Sequence, residues 1–181
     1  MPDQHTRVFI PLGADLVRAG GQVVCGPLTA QACDVAIAMA RKYEGSRILL
    51  TPTRGHRFKN VIMRFVMGSY IEERAPEIPL AFEAAPTFDT LGEIQAVAAY
   101  LNRMVKEGEH LVPVFIFEES RVNRTMFIVS EVFRHENVAS PDVEFKCIFD
   151  APSIWVRVYR ELYEWRSLKK NKKKIEALYC S

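Results

Sequence analysis

The chain is poor in the residues and spacings that announce common chemistries. Its four cysteines, Cys25, Cys33, Cys147 and Cys180, include no C-x-x-C pair. That spacing argues against a zinc knuckle and a thioredoxin-type redox pair. Neither G-x-G-x-x-G nor G-x-x-x-x-G-K-[ST] occurs, which disfavours a dinucleotide fingerprint or a P-loop. Neither H-E-x-x-H nor G-x-S-x-G is present, and the 4 histidines form no cluster, so the sequence offers no metalloprotease motif or serine elbow. No apolar run approaches the roughly 18 residues of a membrane span. The opening MPDQHTRVFIPLG has too polar a flank and too short an apolar run for a signal peptide. The expectation is a cytoplasmic protein in a reducing compartment, with no membrane span.

What is present fits a globular domain. The 181 residues are 49% hydrophobic and 25% charged, with a formal net charge of +2, proportions that exclude a disordered chain and permit a core of ordinary size. The charge is unevenly spread. Between Arg166 and Lys174 stand Arg166, Lys169, Lys170, Lys172, Lys173 and Lys174 with no acid, so the rest of the chain is mildly acidic. Cys33 and Cys147 lie in apolar contexts that suit small core residues, while Cys25 sits in a loop beside Gly26-Pro27.

Short apolar runs alternate with stretches of helical period. RVFIPLG (Arg7–Gly13), SRILLTPT (Ser46–Thr53), EIPLAFE (Glu77–Glu83), LVPVFIFEES (Leu111–Ser120) and DVEFKCIFD (Asp142–Asp150) read as strands, the last at an edge. Between them, Leu28, Cys33, Ile37 and Ala40 recur at helical spacing behind a Pro27 and Thr29 start signal, and KNVIMRFVMGSYIEER, DTLGEIQAVAAYLNRMVKEG and NRTMFIVSEVFRHEN read as further helices. SIWVRVYRELYEWRSLKKNKKKIEALY is a long terminal helix with a possible break near Asn171. The pattern predicts an α/β three-layer sandwich: a mostly parallel central sheet of about five strands, helices on both faces, and an extra C-terminal helix. Residues 1–150 make the α/β domain, and 151–181 a helical extension with a basic tail.

In such a fold ligands bind beyond the carboxyl ends of the strands. The residues there are Gly13 after the first strand, Thr51, Arg54, His56 and Arg57 after the second, and Glu83, Asp89 and Thr90 after the third. Ser120, Arg121 and Arg124 follow the fourth. Thr90-x-x-Glu93 reads as a capping box, which leaves Glu83 and Asp89 as the carboxylates free to bind a ribose or an amine. The arginines are bidentate donors for an anionic group. Lys169, Lys170, Lys172, Lys173 and Lys174 suggest contact with a polyanion, either nucleic acid or an acidic partner; a docked helix with a solvated basic end is the other reading.

Leu12-Gly13 at the first strand's end, Glu83, Thr90 and Glu93 in FEAAPTFDTLGEI, and Ser120 and Arg124 in EESRVNRT resemble, in that order, the SanA/YdcF-like family. The likeness spans roughly Val8 to Arg134. Thr51-Pro52-Thr53 stands where that family usually has Ser-Gly-Gly, and Asn123 stands near its usual histidine. The resemblance implies a Rossmann-like bacterial protein of ill-defined general function. It also implies a pocket for a small-molecule ligand, either a nucleotide or an S-adenosylmethionine-like molecule.

Overall fold

The computed structural model describes residues 6–54, 58, 60–85, 87–139, 142–149 and 154–180, with backbone alone for 154–158. The order is β1 (Thr6–Pro11), β2 (Leu16–Ala19), β3 (Gln22–Cys25), α1 (Pro27–Ala40), β4 (Arg47–Leu50), α2 (Met63–Arg74) and β5 (Leu80–Phe82). Then come α3 (Thr90–Lys106), β6 (Leu111–Glu118), a 3-10 turn (Glu119–Arg121), α4 (Val122–His135), β7 (Glu144–Ile148) and α5 (Ile154–Tyr179).

Five strands pair in the order β5-β4-β1-β6-β7, and every pairing in that sheet is parallel. Side chains alternate across the sheet, so successive residues of one strand feed two different cores. On one face Val8, Ile10, Phe115 and Phe117 are buried with α3, α4 and Ile175 of α5. On the other, Phe9, Ile48, Leu50, Val114 and Ile116 are buried with α1 and α2. The three-layer α/β sandwich is therefore present, with α5 added to the α3–α4 side. The near-continuous apolar runs of β4 and β6 follow from burial on both faces.

Several local expectations change. The Gly-rich stretch after the first strand is an antiparallel β2–β3 hairpin rather than a loop. Gly20 and Gly21 both have positive φ, 56° and 83°, which suits a two-residue hairpin turn and is costly for other residues. The helix expected from Lys59 begins at Met63, because Ile62 is extended and forms an antiparallel bridge with Arg54. The third strand is only Leu80–Phe82. The terminal helix runs unbroken past Asn171, which is buried. Cys33 is fully buried, as expected, and Cys147 is half-buried against the α3–α4 core. Among the described residues no helix is long and apolar enough to cross a membrane.

Candidate functional site

The first turn beyond β1 is fixed by Thr29. Its hydroxyl accepts from the amides of Ala14 and Asp15, at 3.0 and 2.9 Å, and donates to the Asp15 carbonyl at 2.7 Å. Asp15 Oδ1 in turn accepts from the Thr29 amide. A Cβ on Gly26 would lie 2.3 Å from the Asp15 carboxyl carbon, so glycine is needed for this approach. The exchange anchors the start of α1 under the strand end and uses two amides that a ligand would otherwise find there.

Beyond this turn a cavity of about 450 Å³ opens at the carboxyl ends of the strands. Chain leaves β1 toward β4 on one side of the sheet and reaches β6 on the other, so this is the topological switch point where α/β sheets bind ligands. Gly13 and Ala14 come from the end of β1, Thr53 and Arg54 from beyond β4, and Asp89, Thr90 and Glu93 from the start of α3. Arg121 and Arg124 follow β6. A further wall is α5, through Tyr159, Tyr163, Ser167, Lys170, Asn171 and Lys174, and Met63 and Phe88 complete the lining among the described residues.

Arg121 is held in place by its neighbours: Nε donates to Glu118 Oε1 at 2.7 Å and Nη1 to the Gly13 carbonyl at 3.1 Å. Arg124 is different. It is only 7% exposed and its Nε lies 3.1 Å from Glu164 Oε2, yet the alignment is poor and both atoms are buried without a hydrogen bond. Burial lowers the Arg124 pKa and raises that of Glu164, each opposed by the other's charge. A buried guanidinium ordinarily has its donors satisfied. Arg124 instead lines the cavity with its Nε met only by the misaligned Glu164 carboxylate.

Glu93 does not close a capping box. The cap of α3 is Asp89, whose Oδ1 accepts from the Gly92 amide at 3.1 Å and from the Thr87 hydroxyl at 2.8 Å. Thr90 is the first helical residue. One position of helical register separates the two alternatives, and the cap Asp89 provides releases Glu93 to turn inward. Glu93 is 3% exposed, and its Oε1 accepts from Thr51 Oγ1 at 3.2 Å. Burial raises its pKa to about 7, against the pull of Arg121, the Thr51 hydroxyl and Arg124. The carboxyl is thus poised to change protonation near neutrality.

Of the expected site residues, Gly13, Arg54, Asp89, Thr90 and Arg124 line the cavity. Arg54 lies 4.4 Å over the ring of Phe88, tying the loop after β4 to the loop before α3. Thr51 sits behind the wall as the partner of Glu93. Glu83 is not a lining residue: its carboxylate meets Arg103 of α3 at 2.7 Å. Its strand is at the sheet edge, away from the switch point. Ser120 is also outside the lining, with its Oγ buried and unpartnered. His56 and Arg57 lie outside the described residues.

The basic tail divides. Lys170 and Lys174 face the cavity, and Lys174 Nζ is paired with Asp89 Oδ2. Lys172 lies over Phe127 at 5.1 Å and Lys169 over Trp165 at 5.6 Å. The sequence reading missed the cavity wall made by Tyr163, Ser167, Lys170, Asn171 and Lys174. These positions recur at i, i+4, i+7, i+8 and i+11, one helical face, and that period was the available signal. Among the described residues no group of acidic, histidine or cysteine side chains has the arrangement to hold a metal ion. Comparison of the chain with protein-family models, with curated proteins and with solved structures found no match.

Proposed function

We propose that the protein binds a small anionic molecule, of the phosphate-bearing nucleotide class, in the cavity at the carboxyl edge of its sheet. The observation that carries this reading is Arg124: a buried cation at the cavity wall that donates no hydrogen bond to the described residues. An oxyanion would supply the missing acceptor.

The surrounding charge supports the same reading. Arg54, Arg121, Arg124, Lys170 and Lys174 line the cavity against two acids, Asp89 and Glu93. Asp89 is already bound to Lys174, and burial holds Glu93 near its midpoint, with about half its charge, at pH 7. The balance favours a phosphate over the sulfonium of S-adenosylmethionine. Phe88, Tyr159 and Tyr163, exposed side chains that also line the cavity, offer ring surface for a base. The volume lies within the usual range for small-molecule sites. The reading agrees with what resemblance to the SanA/YdcF-like family implies.

A thermal-shift screen of the full chain with AMP, ADP, inorganic phosphate and S-adenosylmethionine tests this. A phosphate-bearing ligand at about 100 times its Kd stabilises by about 2.7 kcal/mol, enough to raise Tm by about 5 °C or more in a chain of this size. S-adenosylmethionine gives no shift, and Arg124→Met abolishes the shift with phosphates. No shift with any phosphate sinks the reading.

The alternative reading, a non-catalytic interaction protein, rests on the outer side of α5. There Trp165 is 62% exposed and Leu162 56%, close in sequence to Arg166, Lys169 and Lys173, which are exposed as well. Lys169→Glu with Lys173→Glu would remove salt-dependent binding to nucleic acid or an acidic protein and leave the cavity's ligand affinity unchanged.

A further inference from the structure

We infer that the cavity holds its oxyanion through a proton shared with Glu93, so that anion binding is coupled to the protonation of this carboxyl. The inference rests on the anion-binding reading above and adds what distinguishes one oxyanion from another.

The geometry is that of a carboxyl placed among cations at the site the anion would occupy. Glu93 is buried at the cavity wall, with one oxygen engaged by Thr51. Arg121, on the turn after β6, and Arg124, on α4, both act on it electrostatically, and Asp89 opposes them from the cap of α3. Arg54 lines the same space from the loop beyond β4, and Lys170 and Lys174 line it from α5. Among the described residues, Tyr159 and Tyr163 are the other titratable groups on that helix that line the cavity. Glu164 and Glu118 stand behind, each against one arginine.

An ionised Glu93 and a dianion that carries no proton repel each other in this space with no hydrogen bond to offset the repulsion. A neutral Glu93 reverses the interaction, because its O–H donates to an anion oxygen. Burial already holds the carboxyl near its midpoint at neutral pH, so the proton needed is cheaply supplied. The consequence depends on the ligand. Hydrogen phosphate carries its own O–H and can donate it to an ionised Glu93. Sulfate has the same shape and charge at pH 8 but no proton, so it binds only when Glu93 has taken one from solvent. A site whose buried group requires a hydrogen bond rejects the analogue that cannot complete it.

The experiment is calorimetric titration of the full chain with sodium sulfate and with inorganic phosphate at pH 6 and pH 8, in the wild type and in Glu93→Gln. Sulfate affinity of the wild type should fall about tenfold between pH 6 and pH 8, the change expected for a group titrating near 7 that must be protonated for binding. Phosphate affinity should fall much less. Glu93→Gln, neutral at both pH values and able to donate through its amide, should bind sulfate equally well at pH 6 and pH 8. Equal sulfate affinity of the wild type at the two pH values overturns the inference, as does an undiminished pH dependence in Glu93→Gln. If neither anion binds the wild type at either pH, the anion-binding reading itself fails and takes this one with it. A dependence on pH that persists for sulfate in Arg124→Met at unchanged affinity would also place the anion elsewhere.

Discussion

Lys174, near the end of α5, donates to Oδ2 of Asp89, the residue that caps α3. The pair joins positions 85 residues apart and makes the C-terminal helix part of the cavity wall. It also gives Asp89 two tasks, since Oδ1 caps the helix while Oδ2 receives the ammonium. Both side chains remain partly exposed, with 38% of each accessible, so the ion pair itself is screened and worth well under 1 kcal/mol.

The two tasks of Asp89 separate by substitution. Asp89→Ala loses the cap and should destabilise the protein by about 1 kcal/mol or somewhat more. Asp89→Asn keeps an acceptor for the Gly92 amide and should cost less. Burial pushes the Asp89 pKa up, but Lys174, the Gly92 amide and the Thr87 hydroxyl outweigh it and hold the pKa below its ordinary value. A depressed carboxylate stabilises above its unfolded pKa and loses that contribution as pH falls through the folded one. The difference between wild type and Asp89→Asn should therefore be present at pH 7 and be lost as pH falls through and below the ordinary aspartate range. Urea unfolding at neutral and at strongly acidic pH measures it.

Glu93 has the opposite sign. Its pKa is raised by burial from 4.5 to about 7, so between these values the folded chain holds more proton than the unfolded one. Stability then falls as pH rises through this window and levels off above it. Glu93→Gln removes the dependence while keeping the side chain's shape. The variant should match the wild type near pH 4 and exceed it at pH 8 by on the order of 3 kcal/mol as an upper figure. Thermal unfolding across pH 4 to 8 tests the trend, and a wild type that gains stability from pH 5 to 8 relative to Glu93→Gln contradicts the assignment.

The contrast between these two acids shows where sequence reading stops. Strand and helix identity followed from period: Ile94, Val97, Leu101 and Met104 form the stripe that α3 buries. A cavity at the carboxyl edge also agrees with the pattern, because parallel strands send their ends to one edge. The roles of Asp89, Thr90 and Glu93 did not follow, because Asp and Thr are both good caps and a shift of one residue decides which acid turns inward. Glu83 lies apart from the cavity for a different reason. It follows a strand end, but that strand is at the sheet edge, and strand order across the sheet is not written in local pattern. The α5 wall depends on tertiary docking, and its lysines read alone as a solvated charge run.

Gly92 gives a prediction against the usual rule. Replacing a helical glycine by alanine ordinarily stabilises by about 1 kcal/mol. Here an added Cβ would lie 2.2 Å from the backbone oxygen of Thr87. That atom belongs to the loop leading to the Asp89 cap and cannot swing aside as a side chain can. Gly92→Ala should therefore destabilise by roughly 1–3 kcal/mol through overpacking. It should also weaken ligand binding, since Phe88 and Asp89 would move with the loop. Equilibrium unfolding supplies the first number and titration with phosphate the second; a stabilised variant would mean the loop yields freely.

Arg124 and Glu164 supply the last test, because their pairing is geometrically incomplete. Their buried charges lie 3.1 Å apart without an aligned hydrogen bond. Arg124→Met leaves Glu164 as an unpaired buried acid, and Glu164→Gln leaves Arg124 as an unpaired buried cation, so each single change should destabilise by several kcal/mol at most, about 3 when relaxation is small. The double variant removes both desolvation costs and should recover most of the loss. Ligand affinity should follow a different pattern. Glu164→Gln frees the guanidinium of its competing carboxylate and should tighten phosphate binding, whereas Arg124→Met and the double variant should both lose it. A double variant that regains stability and also regains phosphate affinity would remove Arg124 from the site, leaving its burial a matter of structure alone.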